Sequence, residues 1–347
     1  MKVILLTGSA PPDACGVGDY TGALAAALEQ AGQEVEVLCH RDWSFAGTLK
    51  AVRRVAAAKN ALLHIQYPTM GYRYSLGPQI CSLLRKSVVT LHEYSLAHRL
   101  RKLSLTFFSI RSPRVIATSY FERDALAAAM PWVEKRLQVI PIGSNIPSLA
   151  APTIDRQHTI VYFGLIMPRK GLEDFIEFAR AIRSKGFRGE LQVVGKVVVG
   201  QEGYAKQLME LDQTLDVKWM FDRNSMEVSE ILSSAGLCYL PFPDGASERR
   251  GSLKAVCAAG LPCITTQSAQ TGTELRVAVT FAETPAIAAE TAMRLMESPE
   301  RRHQMSLQAL DYARKFTWEA IAQSHIRIYK ELEDDLTRRE VYKVRIR

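Results

Sequence analysis

Short apolar runs alternate with amphipathic segments along the whole chain. In the first half KVILLT, EVEVLC, ALLHIQ, SVVTLH, RVIATS and LQVIPIG read as strands. Between them lie helical patterns: YTGALAAALEQAG with its stop at Gly32, a segment over residues 47–58, one around Gln79, a basic one, and YFERDALAAAM. Strands separated by single helices need βαβ crossovers, hence a parallel sheet covered on both faces. The periodicity lapses over PSLAAPTIDRQH, residues 147–158, which carries two prolines and reads as a linker. Alternation then restarts with TIVYFG, ELQVVG, VKWMFD, LCYLPF, PCITT and VAVTF as strands, and helices run to the end. The expected fold class is therefore α/β, with two doubly wound, Rossmann-like parallel-sheet domains. They span 1–148 and 149–317, and closing helices occupy 318–347. Two such domains are expected to face a cleft, with ligands beyond the carboxyl ends of the strands.

Composition narrows the class. A length of 347 residues exceeds a single ordinary core, and 47% hydrophobic with 23% charged residues is globular. Forty-four Lys and Arg against 36 Asp and Glu leave +8, which suits a phosphorylated or polyanionic partner. The arginines are dispersed and no nucleic-acid motif occurs, so nucleic acid is not an expected partner. Cys15, Cys39, Cys81, Cys238, Cys257 and Cys263 include no CxxC pair and no histidine at zinc spacing. They read as reduced structural thiols of a cytoplasmic protein. MKVILLTGSAPP is too short in its apolar part for a signal peptide and reads as the first strand. No run approaches a membrane span, so a soluble or surface-bound chain is expected.

The candidate chemistry follows the strands. After the first, Gly16-Val17-Gly18 opens a helix with Asp19 and Tyr20. It reads either as a tight turn or as backbone N–H groups offered to an anion. Thr21 stands where a third glycine would complete the dinucleotide fingerprint. His92 leaves its strand ahead of Glu93 and Tyr94 and can reach a phosphate or sugar hydroxyl, or serve structure alone. Arg169, Lys170 and Gly171 open a later helix, where two cations beside a positive dipole end suggest an anion between them, or a solvated basic turn. After LCYLPF come Asp244, Ser247 and Glu248, able to accept from hydroxyls, and Arg249 and Arg250, able to fork onto phosphate. Gly251 and Ser252 add donors at a helix start. The two loops together read as a diphosphate clamp with a sugar beside it.

The stretches CGVGDYT, VVTLHEY, IATSYFERDAL, VIPIGSNIP, FGLIMPRKG, LPFPDGASERRGSLKAVCAAGLPCITT and RKFTWEAIAQ stand in the order of a known family. The chain resembles the GT-B fold retaining glycosyltransferases of the large family that includes sucrose synthases and bacterial mannosyl- and glucosyltransferases (glycosyltransferase family 4-like). The resemblance implies a hexosyltransferase working on a nucleotide diphosphate sugar, with retention and without a bound metal or other cofactor. It implies polysaccharide biosynthesis or a similar role, at the cytoplasm or the inner face of the membrane. It places an unknown sugar, glycan or lipid-linked acceptor on the first domain, at Asp19, Tyr20 and Tyr94, and the last helices back on that domain. It places the donor on the second, at Arg169, Lys170, Asp244, Ser247, Arg249, Arg250, Gly251 and Ser252, with Gly16 and Gly18 supplying N–H groups. His92, Lys170, Arg250 and Glu248 become the catalytic candidates. Two departures stand out. Leu165 replaces the usual arginine, and the second of the paired glutamates falls on Ala255 or Val256.

Two other readings remain open. A nucleotide-sugar 2-epimerase shares the architecture, although its familiar acid/base pattern is missing, and a non-catalytic nucleotide-sugar-binding homologue would account for the lost arginine and glutamate. Separately, in HRLRKLSLTFFSIRSPR, residues 98–114, cations interleave with Leu103, Leu105, Phe107, Phe108 and Ile110. This segment reads either as a membrane-surface contact or as an ordinary helix with a basic solvent face.

Overall fold

The computed structural model describes residues 1–10, 15–40, 42–58, 60–85, 87–95, 97–149, 158–211 and 214–345. Most of the expected linker, residues 150–157, lies outside them. The chain forms two compact units, residues Met1–Gly143 with Thr317–Arg347, and Ser144–Phe316.

The first unit runs β1 (Lys2–Thr7), α1 (Gly16–Gln30), β2 (Glu34–Cys39), α2 (Phe45–Ala57), β3 (Ala61–Tyr67), α3 (Gly77–Leu84), β4 (Ser87–Leu91), α4 (Arg99–Arg111), β5 (Arg114–Ala117), α5 (Tyr120–Ala129) and β6 (Leu137–Val139). Its six strands are parallel in the order β2-β1-β3-β4-β5-β6. The step from β1 to β2 runs one way across the sheet and every later step the other. Right-handed crossovers therefore put α1 on one face and α2 to α5 on the opposite face. The core divides accordingly. Ala51, Val55, Cys81, Leu105, Phe108 and Leu126 fill one side, and Tyr20, Leu24 and Leu28 the other.

The second unit runs β7 (Thr159–Ile166), α6 (Leu172–Ser184), β8 (Glu190–Val197), α7 (Glu202–Leu211), β9 (Val217–Phe221), α8 (Ser225–Ser234), β10 (Leu237–Leu240), α9 (Gly251–Ala258), β11 (Cys263–Thr265), α10 (Thr273–Ala278), β12 (Thr280–Phe281), α11 (Pro285–Met296) and α12 (Pro299–Ala313). Its sheet, also parallel, has the order β12-β11-β10-β7-β8-β9. The order reverses around β7, so the ends of β7 and β10 lie at the switch point where open sheets hold their ligands. The α/β fold class stands: two Rossmann-like domains, each with a doubly wound parallel sheet. One strand departs from expectation. In VAVTF, Val277 and Ala278 close α10 and only Thr280 and Phe281 pair with β11. Helical packing of Leu275 and Ala278 into the core outweighs the β-propensity of the two valines.

A last helix, α13 (Trp318–Arg345), belongs to the first unit and packs on α1. Ile321, Ala322, Ile326, Ile328 and Leu332 supply its apolar contact. A buried polar chain adds to it. The Tyr329 hydroxyl lies 2.6 Å from His64 Nδ1, and His64 Nε2 lies 2.7 Å from Thr90 Oγ1. Gln66 links His64 (3.2 Å) to His92 (2.9 Å). His325 Nδ1–H donates to the Ile321 carbonyl at 2.8 Å, leaving Nε2 to accept from the Tyr20 hydroxyl at 3.4 Å. Burial holds all three imidazoles neutral: His92 is pushed down to about 3, His325 to about 4, and His64 well below its ordinary value.

Candidate functional site

In the second unit the loops after β7 and β10 lock together. Gly171 sits at φ +84°, and a Cβ built on it would lie 1.8 Å from the Pro241 carbonyl oxygen, so only glycine admits this contact. Arg169, exposed at φ +65°, shares the same left-handed turn. Buried Tyr162 donates from its hydroxyl to the Lys170 carbonyl at 3.0 Å. The Arg250 charge acts on the same phenol, opposing burial, which raises its pKa. The Lys170 main chain and the Arg250 charge therefore both act on one side chain.

Contrary to the sequence pattern, Arg169 and Lys170 do not open α6. Both residues precede the N-cap, Gly171, and Glu173 and Asp174 supply the acidic first turn that suits the α6 dipole. The cations stand on the loop rather than within the helix.

Arg249 and Arg250 also precede their helix. Arg250 is the N-cap of α9 with φ −79° and ψ 102°, and Arg249 lies in the turn before it, so helical rotation does not set the divergence of the two side chains. Arg249 Nη2 donates to Gln270 Oε1 at 2.8 Å. Arg250 lies 4.7 Å over the Phe242 ring and pairs with Asp244, and its buried Nε has no protein partner. Gly251, Ser252 and Leu253 then present the unbonded N–H groups of α9, since the first helical bond runs from Lys254 to Arg250.

Three loop residues sit differently from the hydroxyl-binding expectation. The Asp244 carboxylate is taken by Arg250. Ser247 is buried, and its carbonyl accepts from the Arg250 N–H at 3.1 Å. Glu248 turns toward Gly272, where an added Cβ would lie 3.2 Å from Oε1, and its charge acts on Lys254 and Lys315. Lys254 itself is 2% exposed, 4.7 Å over the Phe316 ring, and pushed down to about 7 by burial with Glu248 opposing. The sequence reading passed over it. The available signal was a lone lysine in the otherwise small and apolar run GSLKAVCAAG. Ala255 and Val256, where the second glutamate was sought, are buried core residues. Leu165, in place of the usual arginine, is exposed.

In the first unit Gly16 and Gly18 lie inside the first turn of α1, whose first helical bond runs from Asp19 to the Cys15 carbonyl, and among the described residues the helix's N–H groups before that bond have no partner. A Cβ on Gly18 would meet the Ser9 carbonyl oxygen at 2.9 Å, so this glycine also serves packing. Residues 11–14 of the loop lie outside the described residues. Asp19 is exposed. The Tyr20 ring is not: it is buried against His92 (4.8 Å) and Trp318 (5.4 Å), which takes it out of the acceptor set. Tyr94 is likewise buried, its N–H donating to Glu122 Oε2 at 2.8 Å. His92 is 6% exposed and donates Nε2–H to Gln66 Oε1. As a neutral ring it can accept from a hydroxyl through Nδ1 and cannot act as a cation toward phosphate.

No protein-family model matches the chain, and no curated protein sequence matches it. Solved structures are similar to it in fold. HepE (Alr3699) of Anabaena, in complex with UDP and glucose, superposes with a TM-score of 0.71 at 16% identity, covering 95% of this chain and 100% of that one. Sucrose-phosphate synthase from Thermosynechococcus elongatus gives 0.68 at 18% identity over 96% and 100%. A glycosyltransferase from Rickettsia africae gives 0.71 at 13% identity over 95% and 98%. At these identities the likeness is one of fold: two Rossmann-like α/β domains, as in these glycosyltransferases.

Proposed function

We propose that the chain is a retaining hexosyltransferase that moves a sugar from a nucleoside diphosphate sugar to a hydroxyl acceptor, a variant of the family 4-like enzymes. One observation carries the reading: the Gly171–Pro241 contact seats the Lys170 loop on the loop that ends in Arg250 and the N-terminus of α9. Cations and free N–H groups thus converge after β7 and β10, at the switch point of the sheet. The structures of HepE hold UDP with glucose, or UDP-glucose, on a similar fold, which supports a donor of this chemical class.

In the proposed step the acceptor oxygen forms its bond to the anomeric carbon on the face that the diphosphate oxygen leaves. The acceptor proton passes to that departing phosphate oxygen, so configuration is retained and no enzyme base is required. The charge that develops on the diphosphate is stabilised by Lys170, Arg169 and Arg250 and by the α9 N–H groups, which take the part a metal ion plays in other transferases. The guanidinium of Arg250 has Phe242 on one side and gives up Asp244 for the phosphates. Only the Asp244 end of the pair is exposed, 69% against 19% for Arg250, so the carboxylate is the partner that water and a dianionic ligand can replace. His92 Nδ1 accepts from a sugar hydroxyl, Asp19 remains the acceptor-side candidate, and Glu248 holds the loop through the two lysines.

A panel of UDP-, GDP- and ADP-sugars tests the proposal by thermal shift and by release of nucleoside diphosphate. One donor raises the melting temperature, and its diphosphate is released continuously only when an acceptor is present. Equal nucleoside diphosphate affinity in the wild type and in the Lys170→Ala, Arg250→Ala double variant refutes the clamp. A non-catalytic binding homologue is favoured by one observation, the apolar burial of Ala255 and Val256. It predicts the thermal shift without any release.

A further inference from the structure

Between Trp43 and Phe121 the sequence holds twelve lysines and arginines and a single acidic residue, Glu93. That is an excess of eleven positive charges in a chain whose total is +8. Seven of the twelve stand on α2 and α4, where Arg54 pairs with Glu36, and right-handed crossovers set α2, α3 and α4 side by side on one face of the first unit's sheet.

These helices are apolar on the outside as well. In α4, Leu105 and Phe108 pack into the core, yet Leu100, Leu103 and Ile110 are 71%, 70% and 61% exposed. With half-buried Phe107 they recur at intervals of three and four, a single stripe along the solvent side of the helix. Exposed Arg99 and Arg111 border the stripe. The neighbouring α3 exposes Ile80 and Leu83, and α2 exposes Lys50 and Arg53 beyond it. A helix apolar on both sides and edged by cations has no reason to face water.

We infer that the outer face of α3 and α4 is a docking surface for an anionic phospholipid bilayer. Charge complementarity selects this occupant: arginines at the border reach lipid phosphates while the leucines enter the acyl boundary. The inference does not depend on the donor reading, because no residue of the second unit takes part in it.

The test is co-sedimentation of the full chain with vesicles of phosphatidylcholine alone or mixed with phosphatidylglycerol, at low and high salt. The wild type is expected to partition at least about tenfold more onto the anionic vesicles, with part of the binding surviving high salt. Leu100→Ser with Leu103→Ser is expected to weaken binding by about tenfold or more with no change in melting temperature, since both side chains are exposed. Arg99→Gln with Arg111→Gln is expected to remove the preference for anionic lipid, whereas Lys206→Gln with Arg301→Gln, on the second unit, changes nothing. No binding to anionic vesicles at low salt, equal binding by wild type and leucine variant, or a vesicle-free dimer that the leucine variant dissociates would each overturn the inference.

Discussion

Acid should loosen α13 from the first unit well before carboxylates begin to titrate. Three neutral imidazoles, His64, His92 and His325, are buried between α13, α1 and the sheet. In the unfolded chain each takes a proton near pH 6.5, whereas the folded values are about 3 for His92 and about 4 for His325. Below 6.5 the unfolded state therefore binds protons that the folded state refuses, and stability falls as pH falls. Each such histidine approaches a slope of about 1.4 kcal/mol per pH unit below 6.5, so His92 and His325 together remove about 3 kcal/mol between pH 6.5 and pH 5. His64, shifted the same way, steepens the loss. Against a total of about 5–15 kcal/mol for a domain this is a sizeable share, so the urea midpoint of the first unit should fall measurably between neutral pH and pH 5. Urea titrations at about pH 7.5 and about pH 5, followed by the fluorescence of Trp318 beside Tyr20, measure it. His325→Gln is expected to lower stability at neutral pH but to flatten the pH slope by about 1.4 kcal/mol per unit. A midpoint that does not move between the two pH values, or an unchanged slope in His325→Gln, refutes the reasoning.

Gly171→Ala should cost at least about 2 kcal/mol, strain plus clash, and abolish nucleoside diphosphate binding, whereas Gly186→Ala, at φ +89° with open space around it, should cost about 1–2 kcal/mol and leave binding intact. Equal effects in calorimetry would sink the loop-locking argument. Arg250→Ala should weaken nucleoside diphosphate binding by about tenfold or more, Arg249→Ala by less because its partner is Gln270, and Asp244→Asn should strengthen binding by releasing Arg250. Titration calorimetry ranks the three, and weaker binding in Asp244→Asn would show that the aspartate contacts the ligand. Glu248→Gln should push the Lys254 ammonium below its value of about 7, read by NMR titration of labelled lysine, because Glu248 is the charge that opposes its burial.

The alternation of apolar runs and amphipathic helices was enough to place both sheets, because a parallel sheet buried on two faces leaves near-continuous apolar strands that period counting finds easily. It failed at Val277, which stays in α10 because Leu275 and Ala278 pack into the core, against the strand preference of VAVTF. The candidate site was legible in part. Glycine, arginine and lysine after a strand announce an anion loop, but chain order alone gives no direction for the side chains. Asp244 and Glu248 look equivalent in sequence, and only the fold turns one onto Arg250 and the other toward buried Lys254.

Lys254 shows why the remainder was hidden. A lysine in a helix is normally a solvated cation, and nothing in GSLKAVCAAG says that its side chain runs inward. It can do so because Phe316, from the turn that ends the second unit, supplies a ring face 4.7 Å away, and because Glu248 brings a charge from the loop that starts α9. Both partners are set by tertiary packing, 62 residues apart along the chain in one case and six in the other. The turn that carries Glu248 and Arg249 is closed by the Arg250 N–H, which donates to the Ser247 carbonyl at 3.1 Å. On this account the loop's charges divide in two: Glu248, whose charge acts on buried Lys254, and Arg250, whose partner Asp244 keeps its carboxylate 69% exposed and open to exchange for phosphate.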